Sequence, residues 1–158
     1  MYPDFKELLS ILNAQRVKYL VVGGFAVGFH SQPRATKDLD ILIRPDAQNA
    51  KAVYDALAQF GAPLEGVTPH DLLDHDGFFR IGNAPVMIEI LPFIKGIEFD
   101  DAWLRRVEIV IDPVTGSTAF VLAREDLITA KLAAGRPQDL ADVDAIRKAE
   151  EAQTKRPG

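Results

Sequence analysis

A chain of 158 residues with 47% apolar and 26% charged side chains is long enough to build a substantial core and lacks the signature of disorder. Its net charge of −5 argues against broad binding to nucleic-acid backbone, although a local basic groove would still fit. The absence of cysteine excludes disulfides and thiolate metal sites, "MYPDFKELLS" lacks a secretory pattern, and no apolar run nears the roughly 20 residues that span a bilayer, so we expect a soluble, cytoplasmic protein away from membranes.

In chain order, Pro3-Asp4 signals the start of an amphipathic helix over residues 4–15, with Phe5, Leu8, Leu9 and Leu12 at helical spacing. "KYLVV" predicts a short buried strand that stops at Gly23-Gly24; "FAVGFHS" predicts a short helix, and "LDILI" a second strand closed by Arg44-Pro45. Asp46 is placed to cap a helix through "AQNAKAVYDALAQF", with Gly61 as its stop. Residues 62–76 predict a loop with one helical turn. "GFFRIG" and "PVMIEIL" then predict a hairpin turning at Gly82-Asn83. A helical turn near "FDDAWLRR", a strand "VEIVI", a turn over 112–116 and a strand "TAFVL" follow. The helices "REDLITAKLAA", stopped by Gly135, and "PQDLADVDAIRKAEEA", with proline in its first turn, complete the pattern. The fold class expected is α+β, a mixed sheet with helices packed on it. We expect one domain over 1–152, with a core over about 16–112, C-terminal helices over about 123–151 and a frayed tail at 153–158.

Asp-x-Asp occurs three times, as Asp38/Asp40, Asp74/Asp76 and Asp142/Asp144. The last lies in a predicted helix, where residues two apart do not share a face. The second precedes Gly77, but Leu72 and Asn83 fall where a calcium loop needs its carboxylates, so it reads as a solvated loop. Asp38 and Asp40 are different: on a strand they share one face, while Leu39, Ile41 and Ile43 take the other. The bland alternative is a charged edge strand facing solvent. Two features weigh against it. Gly23-Gly24, between a strand and a helix, can bring backbone N–H groups close to an anion. Glu89, between isoleucines in mid-strand, is costly to bury without a partner, and a cation would lower that cost. Three carboxylates beside a phosphate-cradling turn suit two Mg²⁺ ions and phosphoryl transfer.

"VVGGFAVGF", "RATKDLDILI" and "VMIEIL" together resemble the signature of DNA polymerase β-type nucleotidyltransferases: Gly-Gly, about a dozen residues, Asp-apolar-Asp, then a third acid on a neighbouring strand. Thirteen residues separate Gly24 from Asp38 here. With "DLITAKLAAGRPQDLADVDAI", the chain resembles the small bacterial stand-alone branch, the AbiEii-like and minimal nucleotidyltransferases of toxin–antitoxin systems; lincosamide-modifying enzymes have a similar ending. One departure is Glu89, where many members have aspartate.

The resemblance implies a nucleotidyltransferase core that moves a nucleoside monophosphate from a triphosphate (NTP) to a hydroxyl of an RNA such as tRNA, a protein or a small molecule. It implies Asp38, Asp40 and Glu89 as catalytic metal ligands for two Mg²⁺ ions, with Mn²⁺ as a substitute, and Gly23 and Gly24 as the triphosphate cradle. Lys131 and Arg136 are further candidates for phosphate contacts, and Lys131 is equally well placed for an ion pair with Asp139 or Asp142. Arg34 and Thr36, on the loop entering the metal strand, are weaker candidates. Arg105-Arg106 read as a solvated patch, and His30, His70 and His75 as surface or packing residues. The alternatives are an aminoglycoside- or lincosamide-modifying enzyme, or a non-catalytic nucleotide-binding antitoxin module. A partner toxin or antitoxin, or a second copy in a homodimer, would complete the short chain's acceptor side.

Overall fold

A computed structural model describes residues 1–33, 36–83 and 86–154. A six-stranded mixed sheet runs in the order β3-β4-β2-β1-β6-β5, from β1 (Tyr19–Val22), β2 (Asp38–Ile43), β3 (Phe79–Asn83), β4 (Val86–Leu91), β5 (Val107–Asp112) and β6 (Ser117–Val121). β2 pairs with β4 in parallel and with β1 in antiparallel fashion, which puts it near the middle of the sheet rather than at an edge. The expected α+β class holds.

The helices are α1 (Pro3–Ala14), α2 (Gly23–His30), α3 (Ala47–Phe60), α4 (Phe99–Leu104), α5 (Arg124–Ala134) and α6 (Pro137–Thr154), with a 3₁₀ turn over Pro69–Leu73. α1 buries Phe5, Leu8, Leu9 and Leu12, the stripe its sequence spacing predicts, and packs on α3. α3 starts where Asp46 Oδ1 accepts the Asn49 N–H at 2.8 Å and stops at Gly61, whose φ of 95° suits a residue without Cβ. Asn49 then ties α3 to the sheet: its side chain accepts from Lys18 N–H and donates to the carbonyls of Lys18 and Arg44. α2 lies against β1 and β2 and also meets α5 and α6. Among the described residues no helix is both long and apolar enough to cross a membrane.

Three local expectations change. β3 continues through Asn83, pairing Asn83 with Val86, so the hairpin connection falls two residues later than Gly82-Asn83. α6 runs to Thr154, two residues into the stretch expected to fray, and the remainder of that stretch lies outside the described residues. Arg105 and Arg106 are not merely solvated. Arg105 grips Asp126 through two bonds of 2.9 Å, and the Arg106 guanidinium sits 3.9 Å from the Trp103 ring centroid.

Candidate active site

Strand alternation sorts β2 into two faces. Leu39, Ile41 and Ile43 are fully buried, while Asp38 is exposed and Asp40 half-buried on the opposite face. The register then builds a row across three strands: Asp40 on β2 stands opposite Glu89 on β4, and Glu89 opposite Arg80 on β3. On the other side Val22, the last residue of β1, stands opposite Asp40, so the Gly23-Gly24 start of α2 meets the row directly.

Gly23 is required there twice over. Its φ is 67°, in the left-handed region, and a Cβ at this position would overlap the Asp40 carboxylate. The close approach of helix start to carboxylate thus depends on glycine at 23. Thr36 also acts on the site through the backbone: its hydroxyl accepts from Asp38 N–H at 3.1 Å and donates to the Asp38 carbonyl at 3.2 Å, fixing the start of β2. Arg34 lies outside the described residues.

Asp40 and Glu89 bring two carboxyl groups together across adjacent strands. Burial first, and then the neighbouring charges of Glu89 and Asp38, push the Asp40 carboxyl up to about 7; the positive charge of Lys131 pulls weakly the other way. Arg80 Nη2 donates to Glu89 Oε1 at 3.4 Å. The side chains that would hold a metal are therefore hard oxygen donors crowded enough to resist joint ionisation, which fits Mg²⁺ or Mn²⁺ in donor chemistry. Among the described residues no three acidic or histidine groups form a finished metal cage, and Asp38 stands exposed at the strand start.

Lys131 makes the ion pairs that its helix position allows, with Asp139 at 3.2 Å and Asp142 at 3.0 Å. Arg136 joins the same cluster, its Nε donating to Asp139 Oδ2 at 2.7 Å. The Arg136 bond, with help from Lys131, holds the Asp139 carboxyl down at about 2. Arg80 is the residue that sequence reading missed. Its partner is found by counting across the hairpin, and placing the turn two residues early hid the pair. His30 is a packing residue: it is buried, and its Nε2 lies 2.7 Å from the Leu122 carbonyl. His75 is exposed and stacks on Phe93.

Two residues beyond Asp40 on the same face, Leu42 lines a groove of about 400 Å³ together with Arg44, Phe93, Ile94, Ile97 and Phe99. Arg44 is locked into its wall by two bonds to Asp100, at 2.7 and 3.1 Å.

A mixed sheet that carries acids on two adjacent parallel strands, beside a strand–Gly-Gly–helix junction, is the architecture of a nucleotidyltransferase. Solved structures share this fold. The lincosamide antibiotic adenylyltransferase LnuA, determined with lincomycin bound, is similar at a TM-score of 0.61 and 15% identity, over 94% of this chain and 98% of that one. The antibiotic-resistance factor ANT(2'')-Ia is similar at 0.58 and 13%, over 95% and 82%. An antigenic nucleotidyltransferase-like protein from Paracoccidioides brasiliensis is similar at 0.50 and 16%, over 90% and 75%. None of the curated proteins matches in sequence. The chain belongs to the DUF6036 family, nucleotidyltransferases of unknown function, whose profile matches residues 4–151.

Proposed function

We propose that this nucleotidyltransferase moves a nucleoside monophosphate from a Mg²⁺-bound NTP to an acceptor hydroxyl. The observation that carries the reading is the pairing of Asp40 with Glu89 directly beside Gly23. Asp38, Asp40 and Glu89 would hold Mg²⁺, which would supply positive charge to offset the charge developing on the phosphates. The N–H groups at the start of α2, at Gly23 and Gly24, cradle the triphosphate. The acceptor oxygen forms a bond to the α-phosphorus, the bond to the β-phosphate oxygen breaks, and pyrophosphate leaves. Glu89 takes the hydroxyl proton. Thr36 holds Asp38 in place. Lys131 and Arg136 act on phosphate only if the triphosphate draws them from their aspartates.

The acceptor reading with specific support is a small molecule. LnuA is a lincosamide antibiotic adenylyltransferase and ANT(2'')-Ia an antibiotic-resistance factor, and the groove beside Leu42 is of a size to seat a compact, partly apolar compound. An RNA or protein acceptor, and a cytoplasmic toxin–antitoxin pair of the AbiEii-like kind, belong to the same proposal with the partner or a second copy completing the acceptor side.

The test is incubation with each α-labelled NTP and Mg²⁺, separately with a lincosamide, an aminoglycoside and cell extract. We expect label to reach an acceptor only when Mg²⁺ is present. Calorimetric binding of an NTP without any transfer would make the protein a non-catalytic nucleotide-binding module, and absence of both would overturn the proposal.

A further inference from the structure

Arg80 differs from the other well-placed arginines. Arg44, Arg105 and Arg136 each grip one carboxylate with two N–H groups, at distances between 2.7 and 3.2 Å. Among the described residues the Arg80 guanidinium makes one hydrogen bond, the 3.4 Å contact to Glu89. Its side chain is 53% exposed and lies over the ring of Phe78, 5.0 Å from the centroid. It is therefore a charge held near the carboxylate row by strand register, while its fork of donors is only loosely engaged. Lys131, whose charge reaches Asp40, has a side chain 15% exposed and is bound by two aspartates.

A fixed positive charge beside Glu89 has opposite consequences for two kinds of ligand. It offsets the negative field that would draw a bare divalent cation to Asp40 and Glu89. The same charge attracts a polyanion, and a weakly hydrated guanidinium is well suited to phosphate oxygens. We propose that Arg80 is a positioning residue that sets the order of arrival, weakening the site for a divalent ion alone and strengthening it for the ion together with a nucleoside triphosphate. This rests on the metal-site reading of Asp40 and Glu89.

The test is titration of Mn²⁺, with free Mn²⁺ followed by electron paramagnetic resonance, with and without a non-hydrolysable NTP analogue. Arg80→Gln should bind Mn²⁺ alone about three- to tenfold more tightly than the unaltered protein, and the Mn²⁺–analogue pair about three- to tenfold more weakly. Arg80→Lys keeps the charge without the fork, so it should leave Mn²⁺ binding near the unaltered value and recover analogue binding only in part. If Arg80→Gln loses affinity for Mn²⁺ alone, Arg80 merely holds Glu89 in place and the proposal fails. It fails equally if neither affinity moves. Asp40→Asn separates the two levels: if it binds Mn²⁺ as well as the unaltered protein, the metal-site reading itself is wrong and the inference falls with it.

Discussion

Two acidic clusters of this chain, linked by the charge of Lys131 that acts on both, behave in opposite ways. Between α5 and α6, Asp139 and Asp142 are buried with Lys131 between them and Arg136 at the edge, and the Asp139 carboxyl is held at about 2. On the sheet, Asp40 faces Glu89 with Asp38 nearby and is pushed up to about 7. Both clusters come from an acidic chain and both sit on regular secondary structure. The difference is the countercharge. Cations from the same pair of helices satisfy the first cluster, which fastens α5 to α6; among the described residues the second bonds one loosely held arginine, and Lys131 reaches Asp40 by its charge without a bond. A carboxylate cluster left short of positive charge in a folded protein marks a place where an outside cation has something to gain.

The largest effect we expect comes from breaking the sheet cluster. Asp40→Asn should leave a folded protein whose nucleotide transfer falls by at least about 10²–10³, the scale of losing one preorganised electrostatic group. Glu89→Gln should lower transfer and Mg²⁺ dependence together. Rates near those of the unaltered protein for Asp40→Asn would remove the contrast between the clusters. Full activity with a lower melting temperature for Glu89→Gln would make Glu89 a structural partner of Arg80 instead.

Breaking the helix cluster should cost stability instead. Lys131→Met keeps the apolar stem and leaves two buried aspartates without their lysine, so denaturant unfolding should show a loss of about 3 kcal/mol. Asp142→Asn should also destabilise, and the double variant should lose less than the sum. If Lys131→Met instead keeps its stability and loses NTP affinity by calorimetry, Lys131 belongs to the phosphate site.

The smallest effect sharpens the comparison through pH. Asp139 titrates below its unfolded value of 3.8, so its contribution, on the order of 2 kcal/mol, is present above about pH 4 and is lost as pH falls through 2. Asp40 titrates above its unfolded value, so the folded state holds the extra proton between about pH 4 and 7. Stability therefore declines as pH rises across that window. In metal-free buffer Asp40→Asn should remove this decline, gaining about 3–6 °C in melting temperature over the unaltered protein at pH 8 and little at pH 4. An equal difference at both pH values would show that Asp40 is not raised.

Features that depend on near neighbours were legible in the order of the residues. Helix α1 followed from apolar spacing, α3 from Asp46 and Gly61, and the two faces of β2 from alternation, because caps and side-chain periods act over one or two turns. The approach of Gly23 to Asp40 was read from the joint pattern of turn and carboxylates and from resemblance, since no near-neighbour rule sets it. Which distant groups meet depended on packing across the whole fold. The parallel register of β2 with β4 set Asp40 against Glu89, and a shift of two residues in the hairpin set Arg80 against Glu89. The packing of α5 against α6 decided that Lys131 would have both aspartates within bonding distance. Pairing across strands and helices is selected by the fit of whole faces, so a charge's partner is set by how the elements pack and only its range of choices by the local sequence.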